Sequence, residues 1–163
     1  MLRIVIHPKT IKPLQNKGIP LYVKCFLDPS LPGTVIHNKT LPALPPVIVL
    51  KEKQVLLEMS SRDFSFVGEH HVGQLYHLFE QLHIKPNLTQ NGAISFLCVI
   101  DDREEKIEKL ALGAAAELDV QVKKGLSLLT IRHYNAAVMD KLINGKTVLL
   151  RQQTKETVQF LLG

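Results

Sequence analysis

The sequence predicts an α+β chain in which a strand-helix-strand-strand order occurs twice, behind a short α/β segment. Three observations carry that prediction. Apolar residues recur at helical spacing over 69–82 (Val72, Leu75, Tyr76, Phe79, Leu82) and 103–117 (Ile107, Leu110, Ala111, Ala114), with Leu118 continuing the second face. Short β-rich runs surround them, and two of these are joined by Asn91-Gly92, a strong hairpin signal. The same order then returns, so that 54–100 and 126–162 read alike, and a repeat of this kind implies two similar small modules.

Taken in chain order, 2–6 reads as a strand, 10–16 as a short helix ending near Lys17-Gly18, and 20–26 as an alternating strand. The cluster from Asp28 to Gly33 is a turn. Residues 37–46 hold Pro42, Pro45 and Pro46 with little periodicity, which marks a linker and the domain boundary. Strands follow at 46–50 and 54–60, then the helix 69–82, strands at 84–90 and 94–100, and the helix 103–117 with Asp101 or Asp102 placed to cap it. The tail gives a strand at 126–132, a helix at 135–144 closed by Gly145, and a strand pair at 147–152 and 157–162. Antiparallel strands with helices on one face make the ferredoxin-like split β-α-β the natural candidate for each module.

Composition narrows the function classes. The chain has 163 residues, 45% hydrophobic and 21% charged, as soluble globular proteins do. No run approaches the roughly 20 apolar residues that span a bilayer, and Arg3, His7 and Lys9 interrupt any export signal, so a cytoplasmic protein without membrane partners is expected. The net charge of +5 is spread over scattered lysines, interleaved with acids as in Asp101-Asp102-Arg103-Glu104-Glu105-Lys106. With three Tyr and no Trp to stack bases, this speaks against a nucleic-acid partner. Cys25 and Cys98 lie in apolar runs and read as small buried hydrophobes. His70, His71, His77 and His83 do not fall at ligand spacing, because neighbours on a helix point about 100° apart, so no metal is expected. Glycine-rich phosphate loops and a nucleophile elbow are both missing from the sequence, which disfavours a free-standing enzyme.

One region has the residue types of a small-molecule site. Ser60, Ser61, Ser65 and Gly68 crowd the start of the helix 69–82, where free backbone N–H groups and the helix dipole attract a carboxylate. Opposite stand the amides Asn87, Gln90 and Asn91, which supply both donors and acceptors. Such a set can hold the two ends of an amino acid; the same residues also serve ordinary turns and hairpins.

Three segments resemble a known family. Ile6-His-Pro-Lys-Thr with Ile19-Pro, Cys25-Phe-Leu-Asp-Pro29 and Pro32-Gly-Thr-Val-Ile36 resemble, in order and spacing, the end of the aspartate kinase catalytic domain; Asp28 stands where Asn is usual. The resemblance implies two ACT modules, the first (53–122) inserted into the second (46–52 plus 123–163), after a kinase-domain tail over 1–40. It implies that the catalytic residues lie upstream, that this piece has none and needs no cofactor, and that the parent uses MgATP to phosphorylate the β-carboxylate of L-aspartate. Implied partners are an effector amino acid (threonine or lysine), a second copy of the chain paired through the first module, and the N-terminal kinase domain. Implied effector positions are Ser65, Gly68, Val72, Asn87, Gln90, Asn91, Gly92 and Ala93. Lysine-inhibited members often carry Asp where Asn87 stands and Ser-Glu where Gly92-Ala93 stand; the Gln90-Asn91 pair resembles the Gln of threonine-sensitive relatives. The same region of a bifunctional aspartate kinase–homoserine dehydrogenase, or a non-catalytic ACT-type interaction module, are the competing expectations.

Overall fold

The structure is a computed structural model that describes residues 6, 8–37, 44–63 and 65–163. It divides into two compact units, Met1–Leu44 and Pro45–Gly163. The strand expected over 2–6 and most of the expected linker (38–43) lie outside the described residues.

The first unit holds a helix α1 (Pro8–Asn16) and two three-residue strands, β1 (Leu21–Val23) and β2 (Thr34–Ile36), paired antiparallel. The helix stops where Gly18 takes a left-handed φ of 66° and its N–H bonds Gln15 O. Between the strands, Asp28 Oδ1 accepts from the Ser30 N–H at 3.1 Å, and the Lys24 ammonium donates to the Pro29 and Leu31 carbonyls. Gly33 (φ 70°) is obligatory at the end of this turn, since a Cβ there would collide with the Val23 carbonyl oxygen. None of residues 9–37 is buried. Cys25 is exposed, against the expectation from its apolar run, because three-residue strands bury no second face.

The second unit is one six-stranded antiparallel sheet in the order β4-β5-β3-β6-β8-β7 with three helices. Its strands are β3 (Val47–Ser61), β4 (Leu88–Asn91), β5 (Ser95–Asp101), β6 (Leu118–Arg132), β7 (Val148–Gln153) and β8 (Thr157–Leu162). Its helices are α2 (Glu69–Gln81), α3 (Glu104–Ala114) and α4 (Ala136–Ile143). Two βαββ modules share β3 and β6. The C-terminal half of β3 leads into α2, β4, β5, α3 and the first half of β6, giving the ferredoxin-like order β4-β5-β3-β6. The second half of β6 leads into α4, β7 and β8, and the N-terminal half of β3 supplies its fourth strand, β7-β8-β6-β3.

The sequence break expected between 46–50 and 54–60 is a bulge inside β3, and β6, expected only over 126–132, starts at Leu118 and passes through a second one. Lys51-Glu52-Lys53 separates two apolar runs, and the chain keeps both in one strand. One extra residue on β3 near Lys53 (φ 55°) and one on β6 near Gly125 (φ 77°) shift the register and then restore it. Each bulge also switches which alternate residues face the helices. In β6 the residues packed under helices are Leu118 and Val120 before Gly125, and Leu129 and Ile131 after it.

Three clusters hold the unit together. Val55, Leu57, Met59, Phe96, Cys98 and Ile100 pack under Leu75 and Phe79 of α2 and Ile107, Leu110 and Ala114 of α3. Each fully buried Leu or Phe here contributes about 2 kcal/mol of transfer free energy. Leu129, Ile131, Val158, Phe160 and Leu162 pack under α4 through Val138, Met139 and Leu142. Leu88, Val99, Leu126, Leu128 and Leu161 form the third, joining strands of both modules across the curled sheet. Between the outer strands β4 and β7, Gln152 Nε2 donates to Thr89 O at 3.4 Å. Helix α2 ends where His83 turns to φ 48° and Ile84 N–H reaches back to Phe79 O at 2.8 Å. α2 and α3 pack closely at Gly113, where a Cβ would lie 3.0 Å from Leu78 Cδ2. The α3 cap expected from Asp101 or Asp102 is not formed: Arg103 holds the N-cap position without a side-chain cap.

Candidate functional site

The expected site residues fall into two groups at opposite ends of β4. The loop before α2 and the β4–β5 hairpin tip form the first. Two backbone bonds clamp them: Ser61 N–H to Ile94 O (3.1 Å) and Val67 N–H to Ala93 O (2.8 Å). Within the loop, Ser61 Oγ donates to Ser65 O (2.7 Å) and Ser65 N–H donates to Asp63 Oδ1 (3.1 Å). The Ser65 side chain and N–H hold the Asp63 carboxyl below its ordinary value. Gly68 is the N-cap of α2, extended (φ −80°, ψ −178°) and without a side-chain cap, so the first N–H groups of the helix stay available to an anion. Val72, one turn on, is half-buried against the α2–α3 core. Gly92 N–H closes the hairpin on Ser95 O at 2.8 Å. Ser65, Gly68, Val72, Gly92 and Ala93 are therefore brought to one corner, with Asn91 at its edge; Ser65, Asn91, Gly92 and Ala93 are exposed.

Asn87 belongs to the other group. Its backbone N–H bonds Val99 O (2.7 Å), and its side chain turns across the sheet toward β3. Asn87 Nδ2 donates to Gln54 Oε1 (2.7 Å) and Asp101 Oδ1 (2.8 Å), and its Oδ1 accepts from the Lys51 ammonium (2.9 Å). Lys51 also pairs with Asp101 Oδ1 at 2.7 Å. Gln54 is buried and donates to Asp101 Oδ1 at 3.1 Å and to the carbonyls of Glu52 and Lys53. The Lys51 hydrogen bond, with those of Gln54 and Asn87, holds the Asp101 carboxyl down to about 2. This network sits on the β3 bulge and satisfies the polar groups the bulge leaves behind. Lys51, Gln54 and Asp101 were missed from the sequence. A glutamine opening the apolar run of β3 was the available signal, since a buried amide demands partners.

Gln90 is exposed on β4, paired with Leu97. Asn87 and Thr89 also face a cleft of about 390 Å³ whose far wall is Gln152 and Gln159 of the second module. Among the described residues no three His, Cys, Asp or Glu side chains converge on a metal position. No helix among them is long and apolar enough to cross a membrane.

No family model matches the chain. The lysine-sensitive aspartokinase 3 of Escherichia coli is 24% identical over 135 residues, which is 78% of this chain and 30% of that protein. The chain thus spans under a third of this curated relative. Among solved structures, the aspartate kinase of Clostridium acetobutylicum superposes with a TM-score of 0.78 at 17% identity, over 99% of this chain and 42% of that one. The regulatory subunit of aspartate kinase from Thermus flavus gives 0.54 at 7% identity, over 71% of this chain and 86% of that one. In sequence and in fold, the chain is similar to the regulatory region of aspartokinases, with its paired ACT modules.

Proposed function

We propose that this chain is the allosteric sensor of an aspartate kinase: it binds an end-product amino acid, threonine or lysine, and shifts the conformational balance of a kinase domain that phosphorylates L-aspartate with MgATP. The observation that carries the reading is the pair of modules sharing β3 and β6 in a chain similar to a lysine-sensitive aspartokinase. Control requires only that the effector bind one kinase conformation more tightly than the other. In this reading the first module (53–122) presents the loop–hairpin corner to the effector carboxylate, through the uncapped start of α2. Asn87, held in the network on β3 at the far end of β4, stands outside that corner, so threonine and lysine both remain effectors to test. The second module (46–52 plus 123–163) braces the first. Unit one, with Phe26 and Leu27 about 95% and 91% exposed, presents an apolar surface suited to the kinase domain. β4, an outer strand, suits pairing of two copies.

Calorimetric titration of the chain with threonine, lysine and methionine tests the proposal. Saturable heat with threonine or lysine is expected, with a dimeric mass by light scattering. Silence with all three amino acids, on a folded dimer, refutes the sensor and leaves a dimerisation module.

A further inference from the structure

A second concave feature, open to solvent, lies between the end of α2 and the start of α3, away from the loop–hairpin corner. It is a cavity of about 120 Å³ lined by Ile84, Lys85, Ile100, Asp101, Arg103 and Lys106, with the His83 turn at its rim. Its charges are unequal. Lys85 and Arg103 make no ion pair or side-chain hydrogen bond among the described residues. The Lys106 ammonium donates to His83 O at 2.8 Å, which pins its charge at the rim and leaves two of its three protons free. The acids nearby are paired, although Asp101, itself part of the lining, takes all its partners on Oδ1. Asp101 Oδ1 accepts from Lys51, Gln54 and Asn87, while Glu104 and Glu105 pair with Lys124 and Lys109. Ile84 and Ile100 give the cavity an apolar back, where charges interact more strongly than in open water.

We infer that this cavity binds a small oxyanion of the phosphate class, held by Lys85, Arg103 and Lys106. Three cations around one small volume match a dianion better than a single carboxylate. The guanidinium fork of Arg103 and the ammonium groups of the lysines can each donate to a different oxygen of a tetrahedral anion. The volume of about 120 Å³ admits a phosphate group. Free phosphate and the phosphate of a small phosphomonoester share this chemistry. The inference is independent of the amino-acid sensor and survives its failure.

The test is titration of the full chain with inorganic phosphate at constant ionic strength and about pH 7.5, read by calorimetry. Saturable binding with a dissociation constant of about 1 mM is expected. Sulfate should compete, and chloride and zwitterionic glycine should not. Lys85→Met and Arg103→Met should each weaken binding about fivefold, and the double variant at least about twentyfold. Both side chains are exposed, so the variants should melt as the parent does. Glycerol 2-phosphate separates the sources: binding at least as tight as phosphate assigns a phosphomonoester, and exclusion assigns the free anion. No saturation up to about 20 mM, affinity unchanged in the double variant, or competition by glycine as strong as by sulfate overturns the site.

Discussion

Asp101→Asn keeps the shape of the side chain and removes the charge on which Lys51, Gln54 and Asn87 converge. In the folded chain the carboxyl is held from its ordinary 3.8 down to about 2, chiefly by the hydrogen bond from Lys51. A depression of that size would be worth at most about 2.4 kcal/mol. The Asp101 and Lys51 side chains are 43% and 45% exposed, so solvent screening reduces this to about 1 kcal/mol. The folded-state value lies below the unfolded one. The contribution is therefore complete above about pH 4 and is lost as the pH falls toward about 2. Urea unfolding of the parent and of Asp101→Asn across about pH 7 to 2 reads the difference directly. The gap should be about 1 kcal/mol at pH 7, hold to about pH 5, and close near pH 2. A gap that stays constant over the whole range, or none at pH 7, would refute the claim that the ionised carboxylate anchors the network.

Two further outcomes are expected. Burial pushes the Cys98 thiol up to about 12, whereas Cys25 is exposed. A thiol reagent at neutral pH should therefore label one cysteine in the folded chain and both in denaturant, and Cys25→Ser should abolish the native reaction. Asn135 caps α4 by accepting from Val138 N–H at 2.9 Å. Asn135→Ala should cost about 1 kcal/mol in chemical unfolding, and Asn135→Gly only a few tenths.

The amphipathic elements were legible because each shows its burial in its own spacing. Helix α2, expected over 69–82, runs Glu69–Gln81, and α4, expected over 135–144, runs Ala136–Ile143. Asn91-Gly92 lies at the end of β4 as the hairpin signal required, although β4 itself begins only at Leu88. What local spacing could not show was continuity through charge. Lys51-Glu52-Lys53 read as a break between the strands expected at 46–50 and 54–60, and the strand expected at 126–132 in fact begins at Leu118; bulges on the two neighbouring strands carry the sheet through. The site divides for the same reason. Ser65, Gly68, Gly92 and Ala93 meet because a loop and a hairpin adjacent in the module exchange backbone hydrogen bonds. Asn87, only a few residues from Gly92, is drawn to a network on β3 whose other members are distant in sequence. Asp101 looked like a cap for α3 because caps are local, whereas its partner Gln54 lies 47 residues upstream and Lys51 further still.

The matched bulges near Lys53 and Gly125 set how this chain tolerates change in length. Most loops absorb an added or lost residue by rearranging in solvent. A residue lost at Lys53 or Gly125 would instead invert the phase of everything beyond it on that strand. Ile48 and Leu50, or Leu129 and Ile131, would swap places with the residues of the opposite face while the partner strand kept its original phase. Losing one residue at both positions together would bring the two strands back into step with each other. The two βαββ modules are thus bound by a shared reading frame in space as well as by shared strands, and length variation at one bulge is tied to variation at the other.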